Sequence, residues 1–123
     1  MSIAYISGHL DLTCGEFAEH YGILLKDAIL QNHEFVVGDA RGTDLLAQAC
    51  LAEFTNKVTV YHMFDSPRNN VGHFKTVGGF ETDDARDAAM TNASDYDIAW
   101  VRPGREKSGT AKNIKRRQTM LKA

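Results

Sequence analysis

The chain has 123 residues, of which 43% are hydrophobic and 24% are charged, and its net charge at pH 7 is −2. This length and composition indicate one globular domain spanning residues 1–123, and they exclude a disordered tail, a fibrous repeat and a disulfide scaffold. The apolar runs are too short for a transmembrane helix, so we expect no membrane partner.

The first strand is predicted at Ile3 to Ser7, a short apolar run that Gly8 and His9 end. The chain begins without the basic region and long apolar run of a secretory signal, and we therefore expect a cytoplasmic protein. Thr13 and Glu16 have the spacing of a capping box. One helix is predicted from there to about residue 32, with apolar residues at spacings of three and four.

Strands and helices continue to alternate along the chain. Further strands are predicted at 34–37, 58–64 and 96–101, and residues 65–79 are predicted to be a long irregular loop that can hide a fifth strand. Thr43 and Thr82 are predicted to cap two helices, and Ser108-Gly109-Thr110 to open the last one. The helix after Thr43 is predicted to bury one face: Leu45, Leu46, Ala49, Cys50 and Phe54.

Four strand–helix units with apolar strands predict a Rossmann-like α/β sandwich of three layers. We expect a mostly parallel sheet of four or five strands with helices on both faces. In such sheets ligands bind beyond the carboxyl ends of the strands. This rule selects four segments that should lie together: Ser7-Gly8-His9, Gly38 to Asp44, Met63 onward and Arg102 to Thr110.

The segment Gly38-Asp39-Ala40-Arg41-Gly42-Thr43-Asp44 joins a strand directly to a helix. Its glycines let the backbone approach a ligand, and the helix N-terminus that follows attracts phosphate. Arg41 can add a bidentate contact to the phosphate. The alternative is an ordinary tight turn with a capped helix.

Ser108-Gly109-Thr110 repeats this pattern after the last strand, with Arg105 and Lys107 nearby. Its hydroxyl and amide groups can hold an oxyanion, and the alternative is an ordinary N-cap. The chain has neither a Walker A sequence nor a GxGxxG fingerprint, so we predict neither an ATPase nor an NAD-dependent dehydrogenase.

In their order and spacing, these motifs resemble the SLOG superfamily, a Rossmann-like group. It includes the Lonely Guy phosphoribohydrolases, the nucleoside 2-deoxyribosyltransferases and the DprA-type domains. The resemblance extends over nearly the whole chain and is closest to small stand-alone members. The matching segments are Ile6 to His9, Gly38 to Asp44, Arg86 to Met90, Ser94-Asp95 and Ser108 to Thr110.

The resemblance implies a nucleotide or nucleotide-derived ligand and a homo-oligomer, either a dimer or a tetramer. It implies that Ser108, Gly109 and Thr110 hold a phosphate, that Gly8 and His9 approach the sugar or base, and that Arg86 reaches the phosphate or sugar from its helix. An ion pair on the helix surface is the alternative for Arg86. The expected ligand-binding residues are Ser7, Gly8, His9, Gly38, Arg41, Gly42, Thr43, Asp44, Arg86, Ser108, Gly109 and Thr110.

One position departs from the family pattern. Asn113 stands where Lonely Guy enzymes carry a glutamate, and cleavage of an N-glycosidic bond needs a carboxylate to stabilise or attack the sugar. Asp44, Asp87 and Asp95 are candidate replacements, which we expect near the ligand-binding edge. Two interpretations therefore stand: a nucleotide-binding sensor or carrier, and an N-glycosidase or deoxyribosyltransferase-like enzyme acting on a nucleoside 5′-monophosphate.

A third interpretation is nucleic-acid binding through the last helix. Eight of the 14 Lys and Arg residues lie from Arg102 onward, together with one acid, Glu106. The alternative is a solvated helix face. Because the whole chain is acidic and the segment Lys112 to Lys122 has no aromatic residue for stacking, nucleic acid is not the expected partner.

The remaining candidates have simpler expected roles. Cys14 and Cys50 lack zinc-ligand spacing and are expected to be buried free thiols. The acidic group Asp83, Asp84 and Asp87 suits a helix N-terminus, so we expect no metal and no cofactor.

Three further features leave alternatives open. His9 can act as an acid or base or be structural, and His62 and Trp100 are expected to pack in the core, although Trp100 can also stack a base. The loop 66–74 can be a lid or a subunit contact.

Overall fold

A computed structural model describes residues 2–122, so Met1 and Ala123 of the predicted domain, and the side chain of Lys122, lie outside the described residues. In chain order the strands and helices of that range are β1 (Ile3–Ser7), α1 (Cys14–His20), α2 (Gly22–Leu30), β2 (Glu34–Gly38), α3 (Thr43–Ala52), β3 (Val58–Met63), β4 (Lys75–Phe80), α4 (Asp83–Ala93), β5 (Tyr96–Ala99) and α5 (Gly109–Lys122). They alternate, except that α2 follows α1 and β4 follows β3 directly. No helix in the described range is long and apolar enough to cross a membrane.

The strands form one parallel sheet in the order β4-β3-β2-β1-β5. The predicted α/β class is therefore confirmed, with five strands. Residues 65–79 are irregular only in their first half, and the fifth strand that this segment could hide is present, because β4 occupies Lys75–Phe80. This edge strand is largely exposed and contains two glycines, so it lacks the apolar pattern that identified the other strands.

The core consists of two clusters that share strand β1. Ala4 and Ile6 pack in one cluster with residues of α2 and α3, whereas Tyr5 packs in the other with Val36 of β2 and Met90 of α4. Successive side chains of a strand point to opposite faces of the sheet. The two clusters therefore lie on opposite faces, and α4 covers the face that Tyr5 shares.

The segment predicted as one long helix is two helices that meet at Tyr21. The capping box at its start is confirmed, because the Glu16 N–H donates to Thr13 Oγ1 at 3.1 Å and the Thr13 N–H to Glu16 Oε1 at 3.0 Å. The fully buried Tyr21 donates its hydroxyl to the Ser7 carbonyl at 2.8 Å and accepts the Trp100 N–H at 3.0 Å. Tyr21 thus ties together the chain at the carboxyl ends of β1 and β5.

The predicted buried face of α3 is only partly correct, because Leu46 and Cys50 are half-buried and pack against the first core cluster, but none of the five predicted residues is fully buried. Phe54 is 64% exposed, and the residues that α3 buries are Thr43, Asp44, Ala47, Gln48 and Leu51. Polar side chains can lie inside because they find partners: Thr43 Oγ1 donates to the His9 carbonyl at 3.0 Å, and Gln48 Nε2 to the Gly38 carbonyl at 3.0 Å. Gly42, rather than Thr43, is the N-cap of this helix.

The expectation of two buried thiols is also incorrect. Cys14, the first residue of α1, is exposed, and Cys50 is half-buried. Neither thiol is in a disulfide. His62 and Trp100 follow the expectation of packing: His62 is buried in β3, and Trp100 packs against the first core cluster.

Gly8 is the position where β1 leaves the sheet. A Cβ atom there would overlap the side chain of Thr43 and the hydroxyl of Tyr21. We expect Gly8→Ala to lower the free energy of unfolding by about 1–3 kcal/mol through overpacking, measured by urea denaturation. Gly22→Ala is the matched control, because its Cβ meets nothing within 4 Å and alanine favours a helix. Equal stability of the two variants would contradict this account.

Candidate functional site

A cavity of about 320 Å³ opens at the carboxyl edge of the sheet. It is lined by the end of β1 and by residues at the starts of α3, α4 and α5. The strand order reverses there, since β2, β3 and β4 lie to one side of β1 and β5 to the other. Such a reversal leaves the crevice in which open α/β sheets bind ligands, and the cavity volume is at the lower end of the small-molecule range.

The cavity brings together most of the residues that the sequence singled out. The predicted residues that line it are Ser7, Gly8, His9, Asp44, Arg86, Asp87, Ser108, Gly109 and Thr110. The predicted residues that do not line it are Gly38, Arg41, Gly42, Thr43 and Asp95.

The glycine-containing turn after β2 shapes the cavity without facing it. A Cβ on Gly38 would come within 2.5 Å of Asp44 Oδ2, and Gly42 has a φ of +73° and would overlap the carbonyls of His9 and Leu10. The glycines are thus required by close packing against the chain's own atoms. The Arg41 side chain is exposed and does not reach the cavity.

The prediction that Asp95 lies at the ligand-binding edge is wrong. Asp95 precedes β5, and its Oδ2 accepts the N–H of Ile3, the first residue of β1, at 2.8 Å. It therefore lies at the amino ends of the parallel strands, at the opposite edge of the sheet.

Asp39 anchors one side of the cavity, although it was not among the predicted site residues. Its carboxylate is 1% exposed and accepts Arg68 Nη2 at 2.9 Å and Arg86 Nη1 at 3.0 Å. Burial raises the pKa of Asp39, but the hydrogen bonds and charges of the two arginines outweigh that rise and keep the pKa below its usual range. The remaining guanidinium nitrogens of Arg86 lie 3.2–3.3 Å from Asp83 and Asp87. Arg86 therefore forms the expected ion pairs with Asp83 and Asp87, but it is buried rather than on the helix surface, and it also pairs with Asp39.

Two carboxyl groups of the cavity wall have raised pKa values. Burial raises the pKa of Asp44 to about 7, and the positive charge of Arg86 and a hydrogen bond from the Ala40 N–H (3.2 Å to Oδ2) oppose the rise. Burial also raises the pKa of Asp87, against the opposing charge of Arg86. Asp44 can therefore hold or release a proton at neutral pH.

Tyr5 and Asn113 form a second polar pair in the cavity. Asn113 Nδ2 donates to the Tyr5 hydroxyl at 3.0 Å, and Asn113 Oδ1 accepts Arg116 Nη1 at 2.7 Å. Burial is the main cause of the raised pKa of Tyr5, which keeps its hydroxyl protonated. Tyr5 could have been found from the alternation of side chains along β1: it precedes Ser7 by two positions and so points to the same face of the sheet.

The start of α5 forms another wall of the cavity. Ser108 Oγ accepts the Ala111 N–H at 3.2 Å, so the Ser108 hydroxyl acts as the N-cap that was the ordinary alternative. An α-helix presents its other first-turn N–H groups and the positive end of its dipole beyond its N-terminus. Arg105 also lines the cavity, with Nη2 3.2 Å from Asp11 Oδ1.

His9 has a structural role at the cavity wall. Its Nε2 accepts the Arg102 N–H at 2.8 Å. Burial lowers the pKa of His9, and the charges of Arg105 and Arg102 lower it further. His9 is therefore neutral, with Nε2 unavailable as a base. Trp100 stacks on the His20 ring with centroids 3.8 Å apart, so this face of its indole is already covered.

The loop between β3 and β4 is fastened to the cavity wall. Asn69 Nδ2 donates to the Asp39 carbonyl at 2.9 Å, and Gln48 bonds both the Asn69 carbonyl and the Val71 N–H. Arg68 in this loop lines the cavity. The loop is thus part of the wall.

The basic residues of the last segment are largely paired with acids from earlier in the chain. Arg102 bonds Glu16 and Asp11, whereas Arg116 bonds Asp84 and Arg117 bonds Asp97. Much of the charge asymmetry seen in the sequence is therefore neutralised within the fold.

The raised pKa of Asp44 predicts a specific pH dependence. Between about pH 4 and pH 7 the folded protein keeps a proton on Asp44 that the unfolded chain releases, so this group lowers stability as the pH rises through that window. We expect Asp44→Asn to gain stability relative to the wild type between pH 4 and 7, with no further change above pH 7. Urea denaturation at pH 4.5, 6 and 7.5 measures this difference in the free energy of unfolding between Asp44→Asn and the wild type. Asp65→Asn, at an exposed position, controls for net charge, and a difference independent of pH would refute the assignment.

A comparison with protein-family models finds no family that matches this chain, and comparisons with curated proteins and with solved structures find no match either.

Proposed function

We propose that this protein binds a nucleotide or a related phosphorylated ligand in the cavity at the carboxyl end of β1, as a small protein of the SLOG type. The observation that carries the proposal is the division of the cavity walls. The N-terminus of α5 provides an anion-binding wall, whereas Tyr5, Asp44 and Asp87 provide a wall of hydroxyl and carboxyl groups. Arg105 lies beside the helix start but is ion-paired with Asp11. A cytoplasmic location and a dimeric or tetrameric state stay predictions.

The charge distribution supports a ligand with two chemically distinct ends. Arg68 and Arg86 are already paired with Asp39, so they are not free cations for a phosphate. A phosphate is better placed at the start of α5, where backbone N–H groups of Gly109 and Thr110 point outward from the helix. The uncharged, hydroxyl-rich part of the ligand then lies against Asp44 and Asp87. A cavity of 320 Å³ suits one nucleoside monophosphate better than a dinucleotide.

A thermal-shift screen with AMP, GMP, CMP and UMP tests the proposal. A ligand at 100 times its dissociation constant should stabilise the protein by about 2.7 kcal/mol, which raises the Tm of a domain of this size by several degrees. No shift with any of the four at millimolar concentration would contradict the proposal.

The phosphate position is tested with two variants of Gly109. A Cβ at this first helical residue meets nothing within 4 Å, and proline is favoured there because that N–H has no partner within the helix. We expect Gly109→Pro to weaken monophosphate binding at least tenfold because it removes one N–H donor, with the urea midpoint retained. Gly109→Ala adds a Cβ but keeps the N–H, so it should bind more tightly than Gly109→Pro. Equal affinities of the two variants would show that this N–H does not contact the phosphate.

A second function, cleavage of an N-glycosidic bond, is favoured by the two carboxyl groups of the cavity. With a pKa of about 7, Asp44 can donate a proton to the leaving base as the C1′–N bond breaks, and Asp87, ion-paired with Arg86, can stabilise positive charge on the sugar. A water molecule then adds to C1′ to give ribose 5-phosphate, and its proton returns to Asp44. Asn113 lacks a carboxylate, and its amide is engaged with Tyr5.

Incubation of the protein with each of the four monophosphates, with chromatographic measurement of the free base released, decides whether the protein only binds the nucleotide or also cleaves it. If the protein is an enzyme, Asp44→Asn and Asp87→Asn should each lower the rate at least 100-fold, because each removes one of the two carboxyl groups. Asp95→Asn, at the opposite edge of the sheet, should keep the wild-type rate. Binding without base release would identify the protein as a sensor or carrier.

A further inference from the structure

Helix α2 is apolar on its outer face as well as on its inner face. Leu25 and Ala28 are buried in the first core cluster. On the other side of the same helix, Ile23 is 80% exposed and Leu30 is 74% exposed. A surface helix normally turns polar residues to water, and a helix that is apolar all round is normally covered on both sides. The outer face of α2 therefore has the composition of a surface that another protein covers.

Opposite charges lie on the two sides of this apolar face. Ile23 and Leu30 are seven positions apart, so they lie almost on one line along the helix. Around the helix axis, Lys26 lies about 60° to one side of Ile23 and Asp27 about 40° to the other side. Both are exposed, and no ion pair within residues 2–122 includes either of them. Asp27 Oδ2 accepts a long hydrogen bond, 3.5 Å, from Gln31 Nε2.

This arrangement is complementary to a second copy of itself in one orientation. When two α2 helices pack about a two-fold axis parallel to them, the Lys26 side of each helix faces the Asp27 side of the other. Ile23 then meets Ile23, and Leu30 meets Leu30. Antiparallel packing would instead bring Lys26 to Lys26 and Asp27 to Asp27, and these like charges repel each other.

We propose that α2 is the interface of a homodimer whose two-fold axis runs parallel to this helix. Burial of Ile23 and Leu30 provides the attraction, and two Lys26–Asp27 pairs determine the orientation. A helix of nine residues offers less area than a standard interface, so the dimer is reversible and depends on protein concentration. No residue of α2 lines the cavity, so the inference goes beyond the proposed function and does not depend on it.

The orientation has a consequence for the cavities. Helix α2 begins next to Tyr21, whose hydroxyl is bonded to the carboxyl end of β1, and it ends shortly before the start of β2. It therefore runs from the carboxyl edge of the sheet to the amino edge. A two-fold axis parallel to α2 then places the cavities of both copies at the same end of the dimer.

Sedimentation velocity at increasing protein concentration tests the interface. The wild type should change from monomer to dimer as the concentration approaches the millimolar range. Leu30→Lys should raise the dissociation constant of the dimer at least tenfold, because it places a charge in the apolar contact.

Leu121→Lys is the matched control. Leu121 is also 74% exposed and lies in the last turn of a helix, but α5 packs against α4 and Tyr5 on the other face of the sheet. This variant should keep the wild-type dissociation constant. Because Leu30 and Leu121 are both exposed, both variants should keep the wild-type urea midpoint at low protein concentration.

Exchange of the two charges tests the direction of the axis. Lys26→Asp and Asp27→Lys should each raise the dissociation constant several-fold, because each turns two attractive contacts into repulsive ones. The double variant Lys26→Asp/Asp27→Lys should restore the wild-type constant. In an antiparallel dimer each single variant would only replace one like-charge contact by another, so an unchanged constant would refute the parallel axis.

Disulfide cross-linking tests which positions meet. In a chain with Cys14→Ser and Cys50→Ser, Ile23→Cys should form covalent dimers on oxidation with diamide, since position 23 of one copy meets position 23 of the other. Leu121→Cys should stay monomeric under the same conditions.

The outcomes are distinct from those of the nucleotide experiments. A wild type that stays monomeric at millimolar concentration would overturn the proposal, whether or not a nucleotide binds. A dimer that Leu30→Lys leaves as stable as the wild type would also overturn it, because the interface would then lie elsewhere.

Discussion

The buried carboxylate of Asp39 is the constraint on which the cavity depends. It lies just beyond the end of β2 and is bonded to Arg68 from the loop before β4 and to Arg86 from α4. Three segments that are distant in the sequence are thereby fixed at one point. Removal of one partner from a buried ion pair commonly costs about 3–5 kcal/mol, since the remaining charge is left without compensation. The position of α4, and with it Asp83 and Asp87, follows from this contact.

The same contact determines how the cavity can meet an anion. Arg86 forms ion pairs with the carboxylates of Asp39, Asp83 and Asp87, so its positive charge is already neutralised within the protein. The anion-attracting part of the site is then the backbone at the start of α5, whose strength depends on helix geometry rather than on a mobile side chain. The cavity thus has one wall of backbone N–H groups at the start of α5 and another of hydroxyl and carboxyl groups.

Residue patterns predicted the fold better than they predicted the site. The buried strands and the starts of α3, α4 and α5 were visible because apolar runs and capping residues are local signals. Strand β4 was allowed for within the loop but could not be located, because an exposed edge strand with two glycines has no apolar alternation. The inner face of α3 was misjudged because Asp44 and Gln48 are buried through hydrogen bonds, which a hydrophobicity pattern does not show.

Several site residues could not be deduced in this way. Asp39 is 29 and 47 positions from its two arginine partners, and nothing local indicates that these residues meet. The glycines at 38 and 42 were interpreted as ligand contacts, whereas they are needed for packing against Asp44 and the backbone of His9. Asp95, in contrast, could have been placed from the sequence, since a residue that precedes a parallel strand lies at the amino edge.

The pairing of the first strand with the last has a consequence for biosynthesis. The chain must supply β5, more than 90 positions after β1, before the second edge of β1 is covered. Until then β1 presents unpaired backbone groups at the side where the cavity will form, which is the kind of exposed edge that pairs with other chains. Contacts of such long sequence separation form late, because the loop they close costs the most entropy. The cavity is therefore completed late in folding, and until β5 pairs with β1 the exposed edge of β1 can pair with other chains.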